Sequence, residues 1–183
     1  MAKSEPWIDE VLRFWFVQLQ PDAWFRKDRA LDEKIRARFG DLYASFTQSV
    51  PRAVTVTAPG ALAGVIVLDQ FARNLFRRSP LAFQTDAVAL GVAQKAVAAG
   101  FDQQLTEPQR QFIYMPFEHS EDRAMQARSL QLFTALGNAE LLKYAKQHKE
   151  IVDRFGRFPH RNKVLGRMST QEEEEFLKNN PAF

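Results

Sequence analysis

Apolar residues recur at every third or fourth position along most of the chain, which is the periodicity of amphipathic helices. Trp7, Val11 and Trp15 have this spacing and predict a first helix, for which Ser4 is the expected N-terminal cap. A second helix is predicted over about residues 28–48. Its apolar stripe consists of Leu31, Ile35, Phe39, Leu42 and Phe46.

A third predicted helix begins near residue 60. Its first two turns are apolar on every side, which indicates a helix surrounded by others. The spacing that directs Leu62 and Ile66 inward also directs Asp69 and Arg73 inward. Because charged side chains are rarely buried unless they are paired, these two indicate a buried polar cluster. The same turns carry a second polar pair, Gln70 and Asn74.

Further helices are predicted over about 80–99, 106–114, from 116–120 to 137, 139–155 and 170–178. Ser79 marks one start, and Thr106 with Gln109 forms a capping box at another. Pro116 is expected to break the fifth helix, because proline lacks the amide hydrogen and its ring crowds the preceding turn. Residues 52–58 could be read as a short strand, but no second strand exists to pair with them. We therefore interpret them as a loop.

The helices together predict one all-α domain covering residues 1–183, with about seven or eight helices joined by short connections. Consecutive helices are expected to pack antiparallel as hairpins. A chain of this length buries roughly two thirds of the surface that its unfolded form exposes, so one core is enough to hold it. The tail at about 179–183 is expected to be frayed.

The composition excludes several classes of function. The chain has no cysteine, so disulfides, cysteine-ligated zinc and thiol nucleophiles are excluded. The net charge is +3 and the lysines and arginines are scattered, so we do not expect nucleic-acid binding. The acidic N-terminus is unlike a signal peptide, and the apolar run 61–68 is far shorter than the ~20 residues that span a membrane. We predict a soluble, cytoplasmic protein without membrane contacts.

Dense polar segments lie before the sixth helix and after the seventh. His148 belongs to two apolar stripes of the seventh helix and is expected to face inward. Gly156 should stop that helix, and a capping box at 169–172 should start the last one. Glu118 and Asp122 are expected on the apolar side of the sixth helix. The candidate ligand-binding residues are Asp69, Gln70, Arg73, Asn74, Glu118, His119, Asp122, His148, Arg157, His160, Arg161 and Asn162.

The segments LDQFARNLFR, YMPFEHSED and RFGRFPHRN, with LGRMSTQEEEEFL after them, resemble the signature of a bacterial family, domain-of-unknown-function family 924. The resemblance covers nearly the whole chain from Phe14 onward. It implies an all-helical fold similar to tetratricopeptide superhelices, a compact right-handed array of helices. It implies no established activity. Ala72 stands where the family often has proline, and Arg78 where it often has glycine.

Two main interpretations of the polar residues are open. In the first they form a buried ion-pair network, with Asp69 paired to Arg73. Glu118 and Asp122 would then accept hydrogen bonds from one of the loop arginines, Arg157 or Arg161. In the second interpretation, these arginines and their aromatic neighbours bind a small anionic ligand or the carboxylate of a peptide.

Catalytic and metal-binding versions of the site follow from the same residues. His119 or His160 could act as a general base, but no known catalytic motif matches, so enzymatic activity is left open. A metal site at Glu118, His119 and Asp122, with His148 or His160 as a further ligand, is disfavoured, because successive helical residues point about 100° apart and the nearby arginines oppose a cation. No cofactor or metal is predicted. We adopt the hypothesis of a protein that binds a small anionic ligand or peptide, with a protein partner as a further option.

Overall fold

The computed structural model describes residues 5–180, and eight helices occupy most of that range. Helix α1 covers Pro6–Arg13 and continues as a π-helical segment, Phe14–Gln18, and α2 covers Arg29–Gln48. Helix α3 runs through Ala58–Val65, a π-helical segment at Ile66–Phe71, and Ala72–Leu75. The others are α4 (Asp86–Ala98), α5 (Glu107–Glu118), α6 (Arg123–Leu136), α7 (Ala139–Phe155) and α8 (Gln171–Asn179). No strand is present between residues 5 and 180, so the all-α class is confirmed.

The connections contain short 3-10 turns at Pro21–Ala23, Arg52–Thr55, Pro80–Phe83, Asp102–Gln104 and Pro159–Arg161. The segment 52–58, interpreted as a loop, is therefore a 3-10 turn that leads into α3. The tetratricopeptide-like and right-handed character of the helical array stays a prediction. The expected cap Ser4 and the tail from residue 181 lie outside the described residues.

Helix α3 is surrounded by other helices, and every residue from 60 to 72 is buried. It packs against α1, α2, α4 and α5. A helix that is apolar on every side needs neighbours on every side, so the prediction made from its sequence is confirmed. Asp69 and Gln70 are buried together with this helix, and their polar groups must find partners inside the protein.

The two π-helical segments lie next to each other in an aromatic core. The ring centroids of Trp15 and Phe71 are 5.6 Å apart, and Phe39 of α2 stacks on Phe71 at 4.8 Å. A π-helical segment widens the turn by one residue, and such segments are frequent at functional sites. In α3 the π-helical segment contains Asp69, one of the candidate site residues.

The end of α5 differs from the prediction. Pro116 does not break the helix, which continues to Glu118, and the amide of His119 still donates to the carbonyl of Met115 at 2.8 Å. Proline removes only the hydrogen bond of its own amide, so the bond from His119 to Met115 still forms after it and the helix continues. Asp122 is consequently outside both helices. It caps α6, with its carboxylate accepting from the amides of Ala124 and Met125, and it is exposed rather than turned inward.

Two other boundaries are displaced. The capping box of α8 is formed by Thr170 and Glu173, one residue later than predicted. The predicted helix over 80–99 is divided into a 3-10 turn and α4, although Ser79 does cap its start. Just before it, Arg78 has φ of 62°, in the left-handed region that favours glycine. This explains physically why a glycine would suit position 78.

Candidate functional site

A cleft of about 760 Å³ opens between the connection from α1 to α2 and the helices α5 and α7. This volume is in the range of small-molecule sites. Its wall is apolar and aromatic, and is formed by Trp24, Phe25, Met115, Phe133, Leu141 and Tyr144. Polar side chains of Gln111, Glu118, His119 and His148 also line it. Its solvent-exposed edge carries Asp22, Glu107 and Glu140.

Two helical faces bring these residues together. On α5 and its C-terminal cap, Gln111, Met115 and His119 follow at steps of four, so they lie on one face. On α7, the residues that line the cleft are Leu141, Tyr144 and His148, again at steps of three and four. The polar end of the cleft is therefore produced where the C-terminus of α5 faces the middle of α7.

His119 is held by a buried carboxylate. Its Nδ1 lies 2.7 Å from the carboxylate of Asp69, which is fully buried in α3. Asp69 also contacts Arg73 at 3.1 Å and accepts a hydrogen bond from Gln70 at 2.6 Å. Burial opposes the ionisation of Asp69, but Arg73 and His119 outweigh it and lower its pKa below the ordinary value. An ionised Asp69 requires the proton of neutral His119 to be on Nδ1, so Nε2 carries the free electron pair.

Glu118 and His148 form a second pair in the cleft. Oε1 of Glu118 lies 3.0 Å from Nδ1 of His148, which is also 2.9 Å from the carbonyl oxygen of Tyr144. Burial, helped by the negative charge of Asp69, raises the pKa of Glu118 to about 8. Burial lowers the pKa of His148 to about 3. At neutral pH burial favours the uncharged form of the pair, in which Glu118 is protonated and His148 is a neutral imidazole.

Burial also lowers the pKa of His119, although the carboxylate of Asp69 acts in the opposite direction. At neutral pH the cleft thus presents a neutral imidazole beside a protonated carboxyl group. Such a combination of a base and an acid with displaced pKa values is typical of proton-transfer sites.

Arg73 and Arg161 both form ion pairs with one carboxylate, that of Asp86. Arg73 donates to both oxygens of Asp86 at 3.0 and 3.2 Å, and Arg161 contacts Asp86 at 3.4 Å. The guanidinium of Arg161 also lies between the rings of Phe83 and Phe158, at 4.7 and 4.6 Å. Burial lowers the pKa of Arg161 to about 10, which leaves it charged at neutral pH. These cations are neutralised within the protein and do not line the cleft.

A separate network holds the loop after α7. Arg157 donates to both oxygens of Glu173 at 2.6 and 2.8 Å, and Asn162 donates to the same carboxylate at 3.3 Å. Arg167 donates to both oxygens of Glu121 at 2.7 and 2.9 Å. Because Glu173 belongs to α8, these bonds attach the loop to the last helix.

The three polar segments of the sequence do meet. The first joins the second through Asp69 and His119, and the third joins the second because the amide of Phe158 donates to Glu121 at 2.8 Å. The sequence model of a family described as bacterial proteins of unknown function, DUF924, matches residues 11–181. The chain belongs to this family. Of the DUF924 signature segments, the second reaches the cleft, through Met115, Glu118 and His119.

One solved structure is similar to this DUF924 chain. It is a protein of unknown function from Agrobacterium tumefaciens, 38% identical, with a TM-score of 0.90 over 94% of this chain and 97% of that one. No curated protein matches the chain. Within residues 5–180 there is no helix long and apolar enough to cross a membrane. The same residues contain no group of three or more histidines, cysteines or carboxylates arranged to hold a metal ion.

The predicted site residues are divided by the structure. Glu118, His119 and His148 line the cleft. Asp69, Gln70 and Arg73 lie behind them and position His119. The remaining candidates lie elsewhere: Asn74 donates to Asp32, Asp122 caps α6, His160 packs on Phe158, and Arg157, Arg161 and Asn162 belong to the networks described above.

The expected contacts of the loop arginines are wrong. Arg157 pairs with Glu173 and Arg161 with Asp86, so neither pairs with Glu118 or Asp122. The roles of Asp86 and Glu173 as partners of the arginines were not predicted. An acidic residue in the first turn of a helix is common, because it interacts favourably with the helix dipole, so its presence does not indicate a further partner. The aromatic wall at Trp24 and Phe25 was also missed as part of the site, since nothing local connects it to α5.

Proposed function

We propose that this DUF924 protein binds a small molecule that has a planar apolar body and a cationic or neutral hydrogen-bonding head. The supporting observation is the lining of the cleft, which combines an aromatic wall with carboxyl groups and imidazoles. The body would pack against Trp24, Phe25 and Tyr144. The head would reach Glu118 and His119 at the buried end.

The charge of the cleft argues against the anionic ligand expected from the sequence. Its edge carries the carboxylates of Asp22, Glu107 and Glu140, its buried end carries the protonated Glu118, and there is no lysine or arginine among its lining residues. A carboxylate or phosphate would meet repulsion there, whereas an amine would be attracted. The arginines that suggested an anion are paired with Asp69, Asp86 and Glu173 instead.

Three probes that share an indole ring and differ in charge test this proposal. We expect titration calorimetry to show tryptamine, a cation, binding at least ~10-fold more tightly than indole-3-acetate, with neutral 3-methylindole between them. Glu140→Gln should reduce this difference, whereas Glu33→Gln, an exposed carboxylate on α2, should leave it unchanged.

A substitution that fills the cleft gives an independent check. Leu141→Trp places a larger ring in the cleft from the surface of α7 and should abolish binding of all three probes without unfolding the protein. Tighter binding of indole-3-acetate than of tryptamine would contradict the proposal. Binding that survives Leu141→Trp would show that the probes bind elsewhere.

A further inference from the structure

We propose that the cleft is a proton-transfer active site in which His119 removes a proton from carbon and Glu118 donates a hydrogen bond to oxygen. The inference rests on the proposed binding function and adds to it the class of reaction. The substrates would be small carbonyl compounds with an apolar body and an acidic C–H bond next to the carbonyl group.

The geometry of His119 supports its role as the base. Its Nδ1 is engaged by Asp69 at 2.7 Å, and the ring lines the cleft, so Nε2 is the nitrogen left for a bound molecule. Asp69 is a positioning residue, since it lies behind the ring and is itself held by Arg73 and Gln70. Imidazole oriented in this way by a carboxylate is a recurrent arrangement in general base catalysis.

The surroundings of Glu118 support its role as the acid. Its carboxyl group is buried and lines the cleft, and within residues 5–180 no lysine or arginine lies within ion-pair distance of it. Its ionisable neighbour at contact distance is His148, at 3.0 Å. A buried carboxyl group without a cation keeps its proton, and the raised pKa of about 8 agrees with this. It can therefore donate a hydrogen bond to an oxygen on which negative charge develops.

The proposed step conserves atoms and charge without a co-reactant. The C–H bond breaks, its proton goes to Nε2 of His119, and its electron pair forms the new carbon–carbon double bond. The carbonyl oxygen takes up the negative charge under the hydrogen bond from Glu118. In a substrate with a carbon–carbon double bond between the β and γ carbons, the negative charge extends to the γ carbon, and return of the proton from His119 to that carbon moves the double bond into conjugation and completes an isomerisation. Both side chains recover their original forms.

The pH dependence of this step involves the charged groups around both residues. The groups that influence His119, Glu118 or His148 are Asp69 and Arg73 from α3, Asp86 from α4, and His160 and Arg161 from the loop after α7. Activity should fall in acid as His119 is protonated. It should also fall as the pH rises through about 8, where Glu118 loses its proton. The expected profile of kcat/KM is bell-shaped.

A model substrate can test this without knowledge of the natural one. 5-Nitrobenzisoxazole is a neutral, planar aromatic compound that opens when a base removes its C3 proton. The N–O bond breaks, the nitrile forms and the oxygen leaves as a coloured phenoxide, while the base returns its proton to water. We expect the full-length protein to accelerate this opening, with the bell-shaped pH profile described above.

Variants separate the two roles. His119→Gln should lower kcat/KM by at least ~100-fold, the usual contribution of a general base. Glu118→Gln keeps a hydrogen-bond donor without a titrating group, so it should retain part of the activity but lose the decline near pH 8. Glu33→Gln changes an exposed carboxylate on α2 that does not line the cleft and should leave the rate unchanged.

Binding of 5-nitroindazole, which has a similar shape but no N–O bond, distinguishes the failure of the two proposals. If it binds to the wild type and to His119→Gln while neither opens the substrate, the proton-transfer inference is overturned and the binding function stands. If it does not bind at all, both fail. Equal turnover by the wild type and a His119→Gln variant that still binds 5-nitroindazole would also overturn the inference.

Discussion

The carboxylate of Glu173 is only 2% exposed, and it is kept ionised chiefly by the hydrogen bonds from Arg157, which lower its pKa to about 2. We predict that Arg157→Ala lowers the free energy of unfolding at pH 7, because it leaves this buried charge without its main partner. Arg157→Lys should recover little, since lysine cannot form the two parallel bonds. Urea denaturation measures both.

The pH dependence and a double variant provide the control for this pair. A carboxylate whose pKa is lowered on folding stabilises the protein above its unfolded pKa of 4.5, and this contribution is lost as the pH falls toward 2. The difference between wild type and Arg157→Ala should therefore shrink over that range. Adding Glu173→Gln to Arg157→Ala should restore part of the stability at pH 7. Superimposable urea curves for wild type and Arg157→Ala would show that the pair is not needed.

Two glycines in different helices test how closely α3 is packed against its surroundings. A Cβ at Gly60 would lie 2.2 Å from the carbonyl oxygen of Ala53, whereas a Cβ at Gly91 of α4 would meet nothing within 4 Å. We predict that Gly60→Ala destabilises the protein by about 3 kcal/mol, because the backbone of the 3-10 turn must move. Gly91→Ala should stabilise it by about 0.5 kcal/mol through helix propensity.

Chemical denaturation of both glycine variants measures these free energies, and each serves as the control for the other. Equal stabilities of the two variants would mean that the backbone of the turn at Arg52–Thr55 moves without a cost in free energy. The contrast also shows that the sequence of a helix does not reveal its packing. Both glycines stand in apolar helical stretches, and they differ only in the element that lies against them.

The whole molecule should be most stable near pH 6.5. Glu118 has a pKa raised from 4.5 to about 8, so the stability that its protonated form gives is complete below pH 4.5 and is lost as the pH rises through 8. His148 and His160 have pKa values lowered from 6.5 to about 3 and about 4, mainly by burial, so they destabilise the protein as the pH falls below 6.5. The two histidines together outweigh Glu118 below pH 6.5, and Glu118 dominates above it.

Thermal unfolding between pH 4 and pH 9 measures this dependence. The wild type should lose about 2 kcal/mol between pH 6.5 and pH 9, which corresponds to the ionisation of Glu118 over 1.5 pH units. Glu118→Gln should remove this alkaline loss and enlarge the acid loss, because Glu118 then no longer offsets the two histidines below pH 6.5. An equal alkaline loss in both proteins would assign it to another group.

The sequence alone determined the features that depend on neighbours along the chain. The apolar periodicity predicted the helices, the capping box of Thr106 and Gln109 is present, and Gly137 and Gly156 both end helices with positive φ. The burial of Asp69 also followed from the sequence, because a helix that begins apolar on every side is surrounded by other helices. Pro116 and Asp122 were placed wrongly, since a proline removes its own hydrogen bond but does not by itself decide where a helix ends.

The partners of the polar residues were decided by the tertiary structure alone. Asp69 and His119 are 50 positions apart, Asp86 and Arg161 are 75 apart, and no local pattern reports such distances. The cleft likewise exists only because the connection after α1 lies opposite α5 and α7. Helical periodicity specifies which face of a helix is buried but not what it faces. The sequence therefore indicated that a polar cluster is buried, and packing decided that its arginines are neutralised while Glu118, His119 and His148 face an open cleft.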